Sequence, residues 1–192
     1  MKTVLLIGDS IRLHYQPYVI KAFEGQANVW GPEENCQSSG VIRNNLDRWV
    51  ISKRPDVVHL NCGLHDLRHD EGPAEALVPL DAYQANITGI FERVRAETTA
   101  ELIWATVTPI IEERHQAVRS SRRYERDVSA YNAVGISVAR RFGVTINDLH
   151  TTVSEAGPEV LLKQDGLHFV EEGYALLGAK VADALRSFVI KG

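Results

Sequence analysis

The sequence predicts one domain of the α/β class, a three-layer α/β/α sandwich built on a parallel five-stranded sheet. Two observations carry this expectation. Apolar runs of strand length, bounded by turn residues, alternate with segments of helical spacing from one end of the chain to the other. At 192 residues the chain has the length of a single domain, enough to bury about 70% of its surface around one core.

In order, strands are expected at residues 3–7, 28–30, 56–61, 101–106 and 144–147, and helices at 17–24, 41–53, 80–97, 124–142 and 171–190. The runs Val4-Leu5-Leu6-Ile7 and Val57-Val58-His59-Leu60 are almost unbroken in apolar character, as strands covered on both faces require. In the fourth helix Val128, Tyr131, Val134, Val138 and Phe142 fall on one stripe, which reads as a core face. Trp30, Trp49 and Trp104 sit within or beside these patterns and read as core too. Gly25 and Gly143 mark helix ends, and Pro55 and Pro109 fall where turns are needed. Right-handed crossovers between the strands then suggest a flavodoxin-like order, 2-1-3-4-5. No repeat, low-complexity tract or linker interrupts the pattern, so residues 1–192 are read as a single domain.

The charge balance, 21 Lys+Arg against 25 Asp+Glu, lacks the basic footprint of a nucleic-acid binder. The one dense basic run, 119–126, is interrupted by Ser120, Ser121 and Glu125 and reads as the solvated start of a helix. Cys36 and Cys62 are too few for a disulfide framework and lie in no metal-type pair, so both are expected to be reduced. No run approaches the roughly 20 apolar residues of a membrane span, and the apolar stretch at 4–7 is far too short for the core of a signal peptide. These features point to a cytoplasmic protein without membrane or nucleic-acid partners. Oligomeric state leaves no mark in the sequence.

Chemistry enters at Gly8-Asp9-Ser10, directly after the first strand. Ligands of open α/β sheets collect at the carboxyl ends of strands, so a hydroxyl leaving strand one faces the crevice, beside helix N–H groups that favour negative charge. The same tripeptide is also a common turn, with Ser10 then serving as a helix N-cap. A second signal is Asp165-Gly166-Leu167-His168, just before the last helix. A serine hydroxyl needs a base to become a nucleophile, and an imidazole works best when a carboxylate fixes its tautomer. On a turn, a spacing of three lets Asp165 reach one ring nitrogen of His168 while the other faces outward.

Together these residues resemble the SGNH (GDSL-like esterase and lipase) hydrolase family, whose hallmarks are a GDS block near the N-terminus and a D-x-x-H block near the C-terminus. The likeness extends over nearly the whole chain. A glycine after the second strand falls at Gly40, and the G-x-N-D block falls at Gly63-Leu64-His65-Asp66. Thr106-Val107-Thr108-Pro109 and Asn147-Asp148-Leu149-His150 are further similar stretches. The resemblance implies a cofactor-independent ester hydrolase, with Ser10 as nucleophile, His168 as base and Asp165 as its orienting carboxylate. It implies an oxyanion hole from the N–H groups of Ser10 and Gly40 and a side chain of the third block. Ser39 could supply the N–H of the second block if that loop is threaded one residue differently. Here His65 stands in place of the family asparagine, and a neutral histidine can still donate one N–H. Asp66 is placed to orient it. Arg12, His14 and Asp66 are candidates to line the crevice, and the charged stretch 110–124, which holds Arg114 and His115, lies where such folds place a loop over the site. Among substrates, the breadth of the family points first to a carbohydrate O-acetyl ester.

Two other readings stay open. His65-Asp66-Leu67-Arg68-His69-Asp70 has two histidines four apart with carboxylates beside them, as a metal-dependent hydrolase could use. Alternatively, the Ser10 loop could hold an anion or a sugar at a helix start without catalysis, since fold alone does not fix function.

Overall fold

Parallel strands need crossovers, and the chain supplies one after every strand but the last. The structure, a computed structural model, describes residues 1–70 and 75–190. Its strands are β1 (Lys2–Ile7), β2 (Ala27–Trp30), β3 (Val57–Asn61), β4 (Glu101–Ala105) and β5 (Thr145–Asn147), all parallel in the order β2-β1-β3-β4-β5. The expected sheet is thus the observed one. Val4 to Ile7 and all of β3 are buried, which is why these segments read as unbroken apolar runs.

The helices are α1 (Ser10–Ala22), α2 (Ser39–Asn44), α3 (Leu46–Trp49), α4 (Leu80–Glu97), α5 (Glu112–Val118), α6 (Glu125–Arg141), α7 (Leu149–Ala156), α8 (Pro158–Leu161) and α9 (Glu171–Val189). From β1 to β2 the chain steps one way across the sheet, and from β3 to β5 it steps the other. Right-handed crossovers therefore put α1 on the opposite face from α4 and α6. Packing agrees, since α1 lies against α9 while α4 lies against α2 and α6. No helix among the described residues is long and apolar enough to cross a membrane.

Besides α7 and α8, where the sequence reading expected no helix, three segments differ from expectation for identifiable reasons. Helix α1 starts at Ser10 rather than at residue 17, because Asp9 caps it: Asp9 Oδ1 accepts the Ile11 N–H at 2.9 Å. Ile11, Tyr15 and Val19 then form a buried stripe, and Pro17 sits on the exposed side. The helix expected at 41–53 breaks into α2, α3 and a 3-10 turn over Ile51–Lys53. At the break, Asn45 Nδ2 donates to the Val41 carbonyl at 2.9 Å, a side-chain bond that competes with the helical ladder. Within 110–124, expected as a loop, residues Glu112–Val118 form α5.

The strand order reverses between β1 and β3, whose registers run Val4 with Val57 to Ile7 with Leu60. Their carboxyl ends therefore lie side by side, where doubly wound sheets hold ligands.

Candidate active site

Because Asp9 takes the capping role, Ser10 is the first residue of α1 and its hydroxyl is left for other partners. This corrects the alternative in which Ser10 itself caps the helix. The Ser10 N–H, in the first turn, has no intrahelical acceptor. Asp165 and His168 sit on the turn before α9. The Asp165 Oδ1 accepts the N–H groups of Leu167 (3.1 Å) and His168 (2.9 Å), and Oδ2 lies 2.7 Å from His168 Nδ1. An ionised carboxylate only accepts, so Nδ1 carries the proton and Nε2 is left as the acceptor. That nitrogen is 3.0 Å from Ser10 Oγ. Burial raises the Asp165 carboxyl, but the His168 ring and the two backbone N–H groups outweigh it and bring the carboxyl down to about 2. The hydroxyl can thus pass its proton to Nε2 while the fixed carboxylate stabilises the imidazolium.

The turn needs its glycine. Gly166 has φ +63°, and a Cβ there would lie 2.3 Å from the Ile111 carbonyl oxygen, against the start of α5. Ile111 N–H donates back to the Gly166 carbonyl at 2.9 Å. On the other side, Gly63 leaves β3 with φ +141°, and a Cβ would come within 2.2 Å of Val107. That tight exit brings His65 to the cavity over Ser10. Burial holds the His65 imidazole below its ordinary value, with Asp9 opposing and Arg123, Arg68 and His168 reinforcing the fall. The ring is therefore neutral at pH 7.

The cavity, about 340 Å³, is lined by Ser10, His65 and His168 together with Asn35, Leu167 and a set of polar residues from the α5–α6 connection. A cavity of similar volume, about 360 Å³, lies at the opposite end of the strands beside Arg54, Pro55 and residues 96–99, and among the described residues it brings together no nucleophile and base.

The remaining expected residues fall elsewhere. Arg12 is completely buried. Its guanidinium donates to the carbonyls of Gly8 (3.3 Å), Pro32 (2.7 Å) and Glu34 (2.9 Å), so it ties down the loop after β2 instead of lining the crevice. Asp66 is also buried, and it accepts the Ser39 N–H and hydroxyl, which spends the Ser39 N–H on a structural bond. Burial pushes the Asp66 carboxyl up to about 6 against those bonds. Gly40 lies in the first turn of α2 beside Asn86 and Ser38, and is not among the cavity-lining residues. From that loop Asn35 reaches the cavity. Its Oδ1 accepts the Gln37 N–H at 2.8 Å, which leaves the Nδ2 donors available. His14 is exposed at the rim, donating from Nδ1 to the Ser10 carbonyl at 2.7 Å and stacking on Tyr174 at 4.9 Å.

The histidines of the suspected metal cluster diverge: His65 lines the cavity, whereas His69 Nε2 bonds Asp127 at 2.9 Å and Asp70 pairs with Arg68. Among the described residues no three metal-type side chains converge.

Sequence reading missed Asn35 and Arg68 as lining residues; it placed the stretch 110–124 over the site without singling out Arg119, Ser121 and Arg123, which line the cavity. In the basic run Arg119, Arg122 and Arg126 are exposed and α6 begins at Glu125, whereas Arg123 departs from a solvated helix start, being 5% exposed. His69 and Arg122 exchange backbone hydrogen bonds (2.9 and 2.8 Å), and this bridge draws the run over the site. Its trace in the sequence is the position of the charged stretch 110–124 after the fourth strand.

The sandwich with this strand order is the fold of GDSL-type hydrolases. Residues 7–176 match the GDSL-like Lipase/Acylhydrolase family, and the chain belongs to it: it is an ester hydrolase of that class. Among solved structures, the lipase/acylhydrolase from Enterococcus faecalis has a TM-score of 0.83 at 19% identity, covering 100% of this chain and 99% of that one. The acetyl xylan esterase AlAXEase gives 0.78 at 18%, covering 95% and 99%. Axe2, an acetylxylan esterase from Geobacillus stearothermophilus, gives 0.75 at 17%, covering 99% and 95%. At these identities the likeness is one of fold. No curated protein matches the chain.

Proposed function

We propose that this protein is a serine esterase acting on a small ester, with a carbohydrate O-acetyl group as the leading substrate and the cytoplasm as its location. The observation that carries the reading is the 3.0 Å approach of Ser10 Oγ to His168 Nε2, backed by Asp165 at 2.7 Å from Nδ1. Ser10 Oγ attacks the ester carbonyl while His168 takes its proton. The bond to the alcohol then breaks as His168 returns that proton to the leaving oxygen, and Ser10 is left acylated. Water, deprotonated by the same imidazole, releases the acid and restores the hydroxyl.

The developing oxyanion is met by the Ser10 N–H and by neutral His65, which can donate one ring N–H. For the third donor we assign Asn35 Nδ2 in place of Gly40, because the Gln37 bond orients that amide with its donors free and Asn35 lines the cavity. A sugar ester is favoured by fold-level likeness to two acetyl xylan esterases. The cavity of about 340 Å³ suits a short acyl group. Two buried, unpaired cysteines, Cys36 and Cys62, fit a reducing compartment.

Labelling with a fluorophosphonate tests the central claim: Ser10 is expected to be modified, and Ser10→Ala or His168→Ala to remove nearly all turnover of an acyl nitrophenyl ester panel. Retention of about half the activity in either variant would refute the assignment. Turnover that survives exhaustive chelation separates it from a metal-dependent hydrolase, and acetylated sugars assayed next define the alcohol.

A further inference from the structure

Arg123 is buried to 5% exposure yet forms no ion pair among the described residues. Its Nε donates to the Leu64 carbonyl at 2.7 Å, and Nη1 donates to His115 Nε2 at 3.0 Å. Both acceptors are neutral. His115 is fixed in that state from its far side, where Nδ1–H donates to the Asp165 carbonyl oxygen at 3.3 Å. Nη2 has no hydrogen-bond partner among the described residues, although the side chain lines the cavity over Ser10.

Two more guanidinium groups line the same cavity. Arg68 is held by Asp70 (3.0 Å), and Arg119 is 3.7 Å from Asp165. Burial pushes Arg123 down to about 10, with Arg68 and Arg119 acting in the same direction against Asp9 and Asp70. The group stays charged at neutral pH. Among the described residues no carboxylate lines the cavity. A buried cation without a counter-ion is expensive, and its planar fork matches a two-oxygen anion.

We propose that Arg123, assisted by Arg68 and Arg119, forms an anion subsite beside Ser10, and that the preferred substrate is an ester carrying a carboxylate or similar oxyanion, such as an O-acetylated hydroxy acid or acidic sugar. This rests on the esterase reading and narrows its substrate class.

The test uses matched pairs that differ only in charge. On the alcohol side these are O-acetyl-lactate and O-acetyl-lactamide; on the acyl side, monomethyl succinate and methyl succinamate. In one pair at least, kcat/KM for the anion should exceed that for the amide by roughly tenfold or more. Arg123→Gln should erase that preference, lowering kcat/KM for the anion far more than for the amide. If Arg123→Gln does not fold, Arg119→Gln, at a half-exposed side chain, is expected to shrink the same ratio. Equal turnover of both members of both pairs, or an equal loss on both in the variants, would overturn the proposal. The esterase reading fails separately: if nothing is hydrolysed and Ser10 is not labelled, calorimetry with Ser10→Ala still reports on the subsite. Tighter binding of O-acetyl-lactate than of its amide would uphold it, and equal binding would reject it.

Discussion

At the level of single residues, the site depends on a division of labour between neighbours. Asp9 satisfies the Ile11 N–H, so Ser10 keeps its hydroxyl for His168. Asp165→Asn leaves the shape nearly unchanged but can present an amide N–H to Nδ1, which favours the wrong tautomer. Under the proposed mechanism kcat should fall by about 10⁴-fold with little change in KM, as steady-state kinetics would read. Loss of one oxyanion donor is a smaller defect. His65→Ala is expected to lower kcat by about 10²–10³-fold, and a loss below twofold would remove His65 from the mechanism. Ser10, Asp165 and His168 were legible because they lie in two short blocks that together resemble a family pattern, each block by itself having a plain structural alternative. Asn35 was not, since it reaches the cavity by a loop path that local sequence leaves open, and for Arg123 the sequence placed only the stretch 110–124, not the side chain, over the site.

Between elements, two devices hold the loops in place. Arg12 spends its guanidinium on three carbonyls of the β1–α1 turn and the loop after β2. Arg12→Met leaves those acceptors without their donor, so the protein should lose about 3 kcal/mol or more in denaturant unfolding, and activity should fall as Asn35 shifts. Gly166 lets the turn bearing Asp165 and His168 pack directly on α5. Gly166→Ala combines a positive φ with a clash against the Ile111 carbonyl, costing about 1–3 kcal/mol and displacing His168 from Ser10. Full activity and an unchanged Tm in Gly166→Ala would contradict that packing. Strands and long helices were readable from periodicity: α4 spans the expected residues, α6 is shorter by one residue at each end and α9 by one at its C-terminal end. The broken helix over 41–53 was not, because the Asn45 bond to the Val41 carbonyl leaves the apolar spacing unaltered.

Over the whole molecule, buried titratable groups set the response to pH. His59, fully buried in β3, accepts from Asn147 Nδ2 at 3.1 Å, and burial lowers it from 6.5 to about 4. As pH falls below 6.5 the unfolded chain takes up this proton first, so the contribution of His59 is full above 6.5 and is lost toward pH 4, amounting to about 3 kcal/mol. Asp66 has the opposite sign. Its carboxyl is raised from 3.8 to about 6, so its contribution is full below 3.8 and is lost as pH rises through 6. The gain in stability from pH 4 to pH 6.5, read by denaturant unfolding, should therefore be smaller or reversed in His59→Leu relative to the wild type, and larger in Asp66→Asn. By itself the sequence determined the class of fold and the two blocks that hold Ser10 and the Asp165–His168 pair, because hydrophobic periodicity and short-range spacing are local properties. Only the tertiary structure decided that Arg12 is a buried tie, that Asn35 lines the cavity and Gly40 does not, and that Arg123 is the buried arginine of its basic run. Those outcomes depend on which distant carbonyls and ring nitrogens each loop meets, and no local pattern encodes that.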